Sequence, residues 1–90
     1  MDIREKSAGR DRQAFEMLVR EHHRRILAYA QAMVPDAHAA EDLVQEAFLT
    51  AYLHLDRFDS TRDFGAWVRG IVRMKYREFS RQRRELPLEE

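Results

Sequence analysis

Arg69, Arg73, Arg77 and Arg81 recur every four residues in the second half of a 90-residue chain. Four residues overshoot one helical turn by about 40°, so on a helix these guanidinium groups form a ridge that winds slowly round one side. A ridge of fixed cations suits the repeating phosphates of a nucleic-acid backbone, and Arg62 and Lys75 lie close enough in sequence to join it. The plain alternative is a solvated row of ordinary ion pairs. Against it, Glu78 is the only acid inside this stretch at pairing distance from the row.

A second set of residues has the opposite character. In Glu41-Asp42-Leu43-Val44-Gln45-Glu46-Ala47-Phe48, helical spacing turns Leu43, Val44, Ala47 and Phe48 inward. Asp42, Gln45 and Glu46 then line up outward with Leu49 and Leu53, giving an acidic, partly apolar face suited to a covering partner. The alternative is that the N-terminal segment buries the two leucines and that the acids are solvated. The zero formal net charge, from 16 basic and 16 acidic residues, conceals this division. From Pro35 to Asp56 the charges are Asp36, Glu41, Asp42, Glu46 and Asp56, with no Lys or Arg, a local charge of −5. From Arg62 to Arg84 eight bases face only Asp63 and Glu78, a local charge of +6. Such a layout fits a module with two different partners.

Other chemistry is poorly provided for. With no cysteine there is no disulfide, thiolate nucleophile or cysteine zinc site. His22, His23, His38 and His54 have no metal-ligand spacing, so no metal is expected. There is no glycine-rich phosphate loop and no nucleophile beside an activating base, so neither an enzyme nor a cofactor is expected. The charged start Met1-Asp2-Ile3-Arg4-Glu5-Lys6 is unlike a signal peptide, and no apolar run is long enough to span a membrane. The expectation is a soluble cytoplasmic protein.

The elements that must position these faces are helical. Three Gly and two Pro punctuate a chain that is 44% apolar, with apolar residues recurring at three and four. The pattern predicts one all-α domain over residues 11–84, a compact bundle of three long helices. Residues 1–10 have no clear stripe and are expected to be weakly ordered or to form a short fourth helix. The first long helix is predicted from an N-cap at Asp11 to about Met33, with Phe15, Leu18, Val19, His22, Ile26, Tyr29, Ala30 and Met33 inward. Pro35 ends it and Asp36 caps the second, which runs to about His54 with Ala40, Leu43, Val44, Ala47, Phe48, Ala51 and Leu55 inward. Residues 56–62 read as a loop. Ser60 and Asp63 have capping-box spacing and open a third helix to about Arg84, with Phe64, Trp67, Val68, Ile71, Val72, Tyr76 and Phe79 inward.

These residues carry a family resemblance. Ala39-Ala40-Glu41-Asp42-Leu43-Val44-Gln45-Glu46-Ala47-Phe48, then Ala51-Tyr52, Phe58 and Phe64-Gly65-Ala66-Trp67-Val68-Arg69-Gly70-Ile71-Val72-Arg73, resembles region 2 of bacterial sigma factors. The likeness is to the extracytoplasmic-function (ECF) group of the sigma-70 family. Ala14-Phe15-Glu16-Met17-Leu18-Val19-Arg20-Glu21-His22 looks like the start of the same region, so the likeness spans about Arg12 to Arg84.

The resemblance implies a transcription initiation domain whose second helix docks on the clamp coiled coil of the largest subunit of RNA polymerase core. Asp42, Gln45 and Glu46 would make the polar contacts, with Leu49, Tyr52 and Leu53 beside them. It implies that the loop and third helix recognise and help melt the −10 promoter element through its non-template strand. Phe58 and Phe64 would stack on bases, Asp59, Ser60 and Thr61 would help to hold an extruded base, and Arg62, Arg69, Arg73, Lys75, Arg77 and Arg81 would contact phosphate. Trp67 is expected to pack rather than to stack on a base. An anti-sigma factor is a further implied partner. The chain departs from the family at Met74, where members commonly carry an asparagine able to hydrogen-bond a base; a thioether is only a weak acceptor. It also stops at Glu90, so residues 85–90 would begin a linker and the C-terminal helix-turn-helix that reads the −35 element is expected to be absent. The rival readings are a helical protein-interaction or regulator-binding module without promoter-melting activity, and a plain duplex-binding helical domain.

Overall fold

A computed structural model describes the backbone of residues 3–85 and the side chains of residues 11–82. Pro35 and Asp36 divide the first two helices, α1 (Ile3–Met33) and α2 (Ala37–Leu53). A helix is disfavoured immediately before proline, so α1 ends at Met33, with a last amide bond from Val34 N–H to the Ala30 carbonyl at 2.8 Å. Asp36 then caps α2: its Oδ1 accepts from the backbone N–H of His38 at 2.9 Å and of Ala39 at 3.4 Å.

α1 is longer than its pattern predicts. It begins at Ile3 rather than at a cap on Asp11, so Asp11 lies in the helix interior, and among the described residues no separate fourth helix precedes it. Gly9 alone penalises a helix by only about 1 kcal/mol relative to Ala, too little to break a run without proline. Of the linker expected at residues 85–90, Glu85 instead ends the third helix, and residues 86–90 lie outside the described residues.

After α2 the chain takes a short 3-10 turn, Leu55–Arg57, inside the segment expected to be loop. Arg57 N–H bonds to the His54 carbonyl at 2.9 Å and Phe58 N–H to the Leu55 carbonyl at 3.1 Å. The third helix, α3 (Phe64–Glu85), begins after Asp63. Its N-cap is Asp63 itself, whose Oδ2 accepts from the Ala66 N–H at 3.1 Å, so the predicted capping box from Ser60 does not form. Asp59 takes the corresponding role one turn earlier. Its Oδ1 accepts from both the N–H (2.9 Å) and the hydroxyl (2.7 Å) of Thr61.

The three helices share one apolar core. Phe15, Ile26, Ala30 and Val34 of α1 and its end meet Ala40, Leu43, Val44, Ala47, Phe48 and Ala51 of α2 and Phe64, Val68, Ile71 and Val72 of α3. The inner stripes predicted for α2 and α3 are therefore the observed ones, except that Leu55, Trp67 and Tyr76 are half-buried and Phe79 is exposed. α2 runs antiparallel to α1, with Phe15 against Tyr52 and His23 against Phe48. α3 runs in the same direction as α1, with His22 against Phe64 and Tyr29 against Arg73. Among the described residues, no helix is long and apolar enough to cross a membrane.

Candidate functional site

The outer face of α2 is assembled as its spacing predicts. Asp42, Gln45, Glu46, Leu49, Tyr52 and Leu53 are all exposed and fall within about 120° of the helix circumference. Leu49 is 60% and Leu53 67% exposed, so these leucines are not buried by the N-terminal segment. Asp42, Gln45, Glu46 and Leu49 line one shallow hollow. Tyr52 and Leu53 line another with Asp11, Leu55 and Asp56. Tyr52 is held on one side by Phe15, with ring centroids 5.2 Å apart. Glu46 also borders a groove with Val34, Ala39, Asp42, Leu43 and Phe79, and Phe79 stands at its rim rather than in the core.

The basic face has a different construction. Arg73, Arg77 and Arg81 are exposed on α3, with Arg77 pointing almost directly away from the core. Arg69 is only half-exposed and is turned toward α1. Its Nη2 lies 3.7 Å from Oδ2 of Asp63, an acid that sits at the helix cap rather than within the helix. Arg62 similarly pairs with Asp59 at 3.9 Å. Arg73 donates through Nη1 to the hydroxyl of Tyr29, 3.2 Å away on α1. The row is thus partly tethered by local partners. Gly65 allows the approach of α1: a Cβ there would lie 3.0 Å from His22 Nδ1 and 3.2 Å from Arg69 Nη1.

Two predicted contact residues are misplaced for that role. Phe64 is 4% exposed, enclosed by Phe15, His22, Phe58 and Trp67, so its ring is a core element and presents no free face to a base. Lys75 stands two residues from Arg77, about 160° round the helix, and is half-buried toward α2. There it lines a hollow with Glu46, Glu78, Phe79 and Gln82, off the arginine ridge. Met74 is 45% exposed, on the outer side of α3 between the directions of Arg81 and the core-rim residue Trp67.

Around the loop the remaining candidates converge. Phe58 is half-buried and stacks on Trp67 with centroids 4.9 Å apart and planes at 29°. Arg62, Asp63, Ala66 and Trp67 line a hollow beside this pair. Asp59, Ser60 and Thr61 are exposed on the turn that leads to it. The hydrogen bond from the Thr61 hydroxyl, followed by that from its backbone N–H, holds the Asp59 carboxyl below its ordinary value of 3.8. Asp59 is therefore an anion at neutral pH and keeps the turn closed.

Among known proteins, no solved structure matches the chain. A probable RNA polymerase sigma factor of Haemophilus influenzae is 41% identical over 64 residues, covering 71% of this chain and 33% of the relative. The ECF RNA polymerase sigma factor SigW of Bacillus subtilis is 38% identical over 62 residues, covering 69% and 33%. The RNA polymerase sigma-H factor of Pseudomonas aeruginosa is 38% identical, covering 69% and 32%. The chain thus spans about a third of the length of the curated relatives it matches. Residues 18–85 match sigma-70 region 2. With the all-helical fold and the two segregated faces, these matches identify the chain as a member of the sigma-70 region 2 family, in its ECF group.

Proposed function

We propose that this domain acts in transcription initiation, joining RNA polymerase core to promoter DNA without covalent chemistry of its own. The observation that carries the proposal is the segregation of two exposed faces on one small core: acids and leucines on α2, arginines on α3 and its preceding loop. On this reading Asp42, Gln45 and Glu46 meet basic groups of the clamp coiled coil of the largest subunit, and Leu49, Tyr52 and Leu53 supply apolar area. The matched relatives bear the name of RNA polymerase sigma factors, which agrees with that choice of partner.

The loop and α3 then recognise the non-template strand of the −10 element and help to melt it. Unpairing costs a few kcal/mol per base, and each base stacked on an aromatic side chain returns roughly 1–3 kcal/mol. Phe58, backed by the packed ring of Trp67 and with Arg62 beside it, offers such a platform; Asp59, Ser60 and Thr61 shape its rim. Arg69, Arg73, Arg77 and Arg81 hold phosphates. Phe64 and Lys75 act from within the fold. The work takes place in the cytoplasm, and an anti-sigma factor regulates it by covering an exposed face.

The test is binding to the isolated clamp coiled coil. Association is expected for the parent chain and is lost in Asp42→Arg combined with Gln45→Ala, with thermal unfolding unchanged. No association, or association indifferent to the double substitution, overturns the proposal.

A further inference from the structure

The arginines of α1 remain unused by this function. Arg20, Arg24 and Arg25 are all exposed, and among the described residues none of them takes part in an ion pair. Glu21 precedes Arg25 by one turn but makes no ion pair with it within 4 Å. Of the three, Arg25 stands apart by position. At about 100° per residue it lies roughly 40° further round α1 than Tyr29, on the α3 side, and one turn earlier along the axis. Because α1 and α3 run in the same direction, with His22 level with Gly65 and Tyr29 level with Arg73, Arg25 falls along their seam at about the level of Arg69, one turn before Arg73.

Tyr29 completes the arrangement. Its hydroxyl oxygen accepts from Arg73 Nη1, leaving its own proton to be donated outward. An acceptor placed over this seam would meet donors from two helices, two of them guanidinium groups able to bind phosphate oxygens in a fork. Asp63, at the start of α3, is engaged with Arg69, and Glu21, one turn before Arg25, forms no ion pair with it.

We propose that Arg25 and Tyr29 of α1, together with Arg73 of α3, form a phosphate clamp that carries a nucleic-acid backbone across the seam between the two helices. This rests on the nucleic-acid reading of α3 and extends it to a second helix. The strand then leaves the α3 ridge at Arg73 and crosses α1, instead of following the ridge alone.

The experiment measures binding of the 90-residue chain to a short fluorescein-labelled DNA single strand as a function of salt. Each phosphate contact contributes about 0.7 to the slope of log affinity against log salt for a single strand. Arg25→Gln is expected to lower the slope by about that amount and to weaken low-salt binding roughly three- to tenfold. Tyr29→Phe weakens binding about threefold at an unchanged slope, since it removes a neutral donor. Arg24→Gln, the same charge change on the side of α1 away from the core, leaves both quantities alone. Helicity and thermal unfolding, measured alongside, are expected to stay at parent values for all three. If Arg24→Gln matches Arg25→Gln, only net charge matters and the clamp is wrong. If Arg73→Gln lowers the slope while Arg25→Gln and Tyr29→Phe do nothing, the clamp is wrong and the α3 reading stands. If the parent shows no salt-dependent binding, or Arg73→Gln and Arg77→Gln leave it unchanged, the α3 reading fails and the clamp fails with it.

Discussion

α2 and α3 are neighbouring helices of similar pattern on their inner sides, yet their outer sides are built by opposite rules. On α2 the exposed groups are short acids and bare leucines; apart from Tyr52 on Phe15, no described hydrogen bond, ion pair or ring contact restrains the six docking candidates. On α3 and its loop three of the cations have partners before any ligand arrives, Arg62 in Asp59, Arg69 in Asp63 and Arg73 in Tyr29. A protein partner can provide both the apolar cover and the counter-charges that α2 lacks. A polyanion supplies only charge at fixed intervals, so its receptor gains from side chains whose directions are already set, because less rotamer entropy is lost on binding.

The comparison can be broken most severely at the shared core. Phe64→Ala removes a ring packed on four others and is expected to destabilise the fold by about 3–5 kcal/mol, abolishing both faces together in a thermal unfolding experiment. Survival of the fold with selective loss of DNA binding would instead return Phe64 to the contact surface. Asp63→Ala is next: it deletes the α3 cap, at a cost of about 1 kcal/mol, and frees Arg69. Its unfolding temperature should fall while coiled-coil binding by the folded protein is preserved. Leu49→Ala with Leu53→Ala sharpens the contrast from the other side. Stability should stay within about 0.5 kcal/mol, since both side chains are exposed, while affinity for the clamp coiled coil drops. The smallest effect belongs to the turn. The folded pKa of Asp59 is lowered, so the Asx turn's contribution is fully present above the unfolded value and is lost as pH falls through the folded one, below 3.8. An NMR titration should place the Asp59 midpoint below 3.8, and Thr61→Ala should move it upward.

Much of this was legible in the residues. Pro35 and Asp36 mark the α1–α2 break because each acts through its immediate neighbours, and the inner stripes follow because burial tracks helical period. What escaped depends on distance. Tyr29 and Arg73 are 44 positions apart, and no local pattern announces their hydrogen bond. The Arg69–Asp63 pair spans a helix start, outside the three- and four-residue spacings that reveal pairs within a helix. The charge of Lys75 suggests the ridge, although its spacing from Arg77 directs it to the other side of α3. Phe64 fits both a surface role and an inward stripe position by sequence; the rings of Phe15 and Trp67 decide for the second.

The stacked Phe58 and Trp67 rings have a spectroscopic consequence. Trp67 is the only indole in the chain, and it stands beside the loop and the Arg62 hollow, on α3 rather than on the acidic outer face of α2. On the proposed function its emission is expected to report on one face alone: a base entering beside Phe58 would quench or shift it, whereas a coiled coil seated on α2 would leave it unaltered. Titrating each ligand in turn, without any label, therefore reads out which face is occupied.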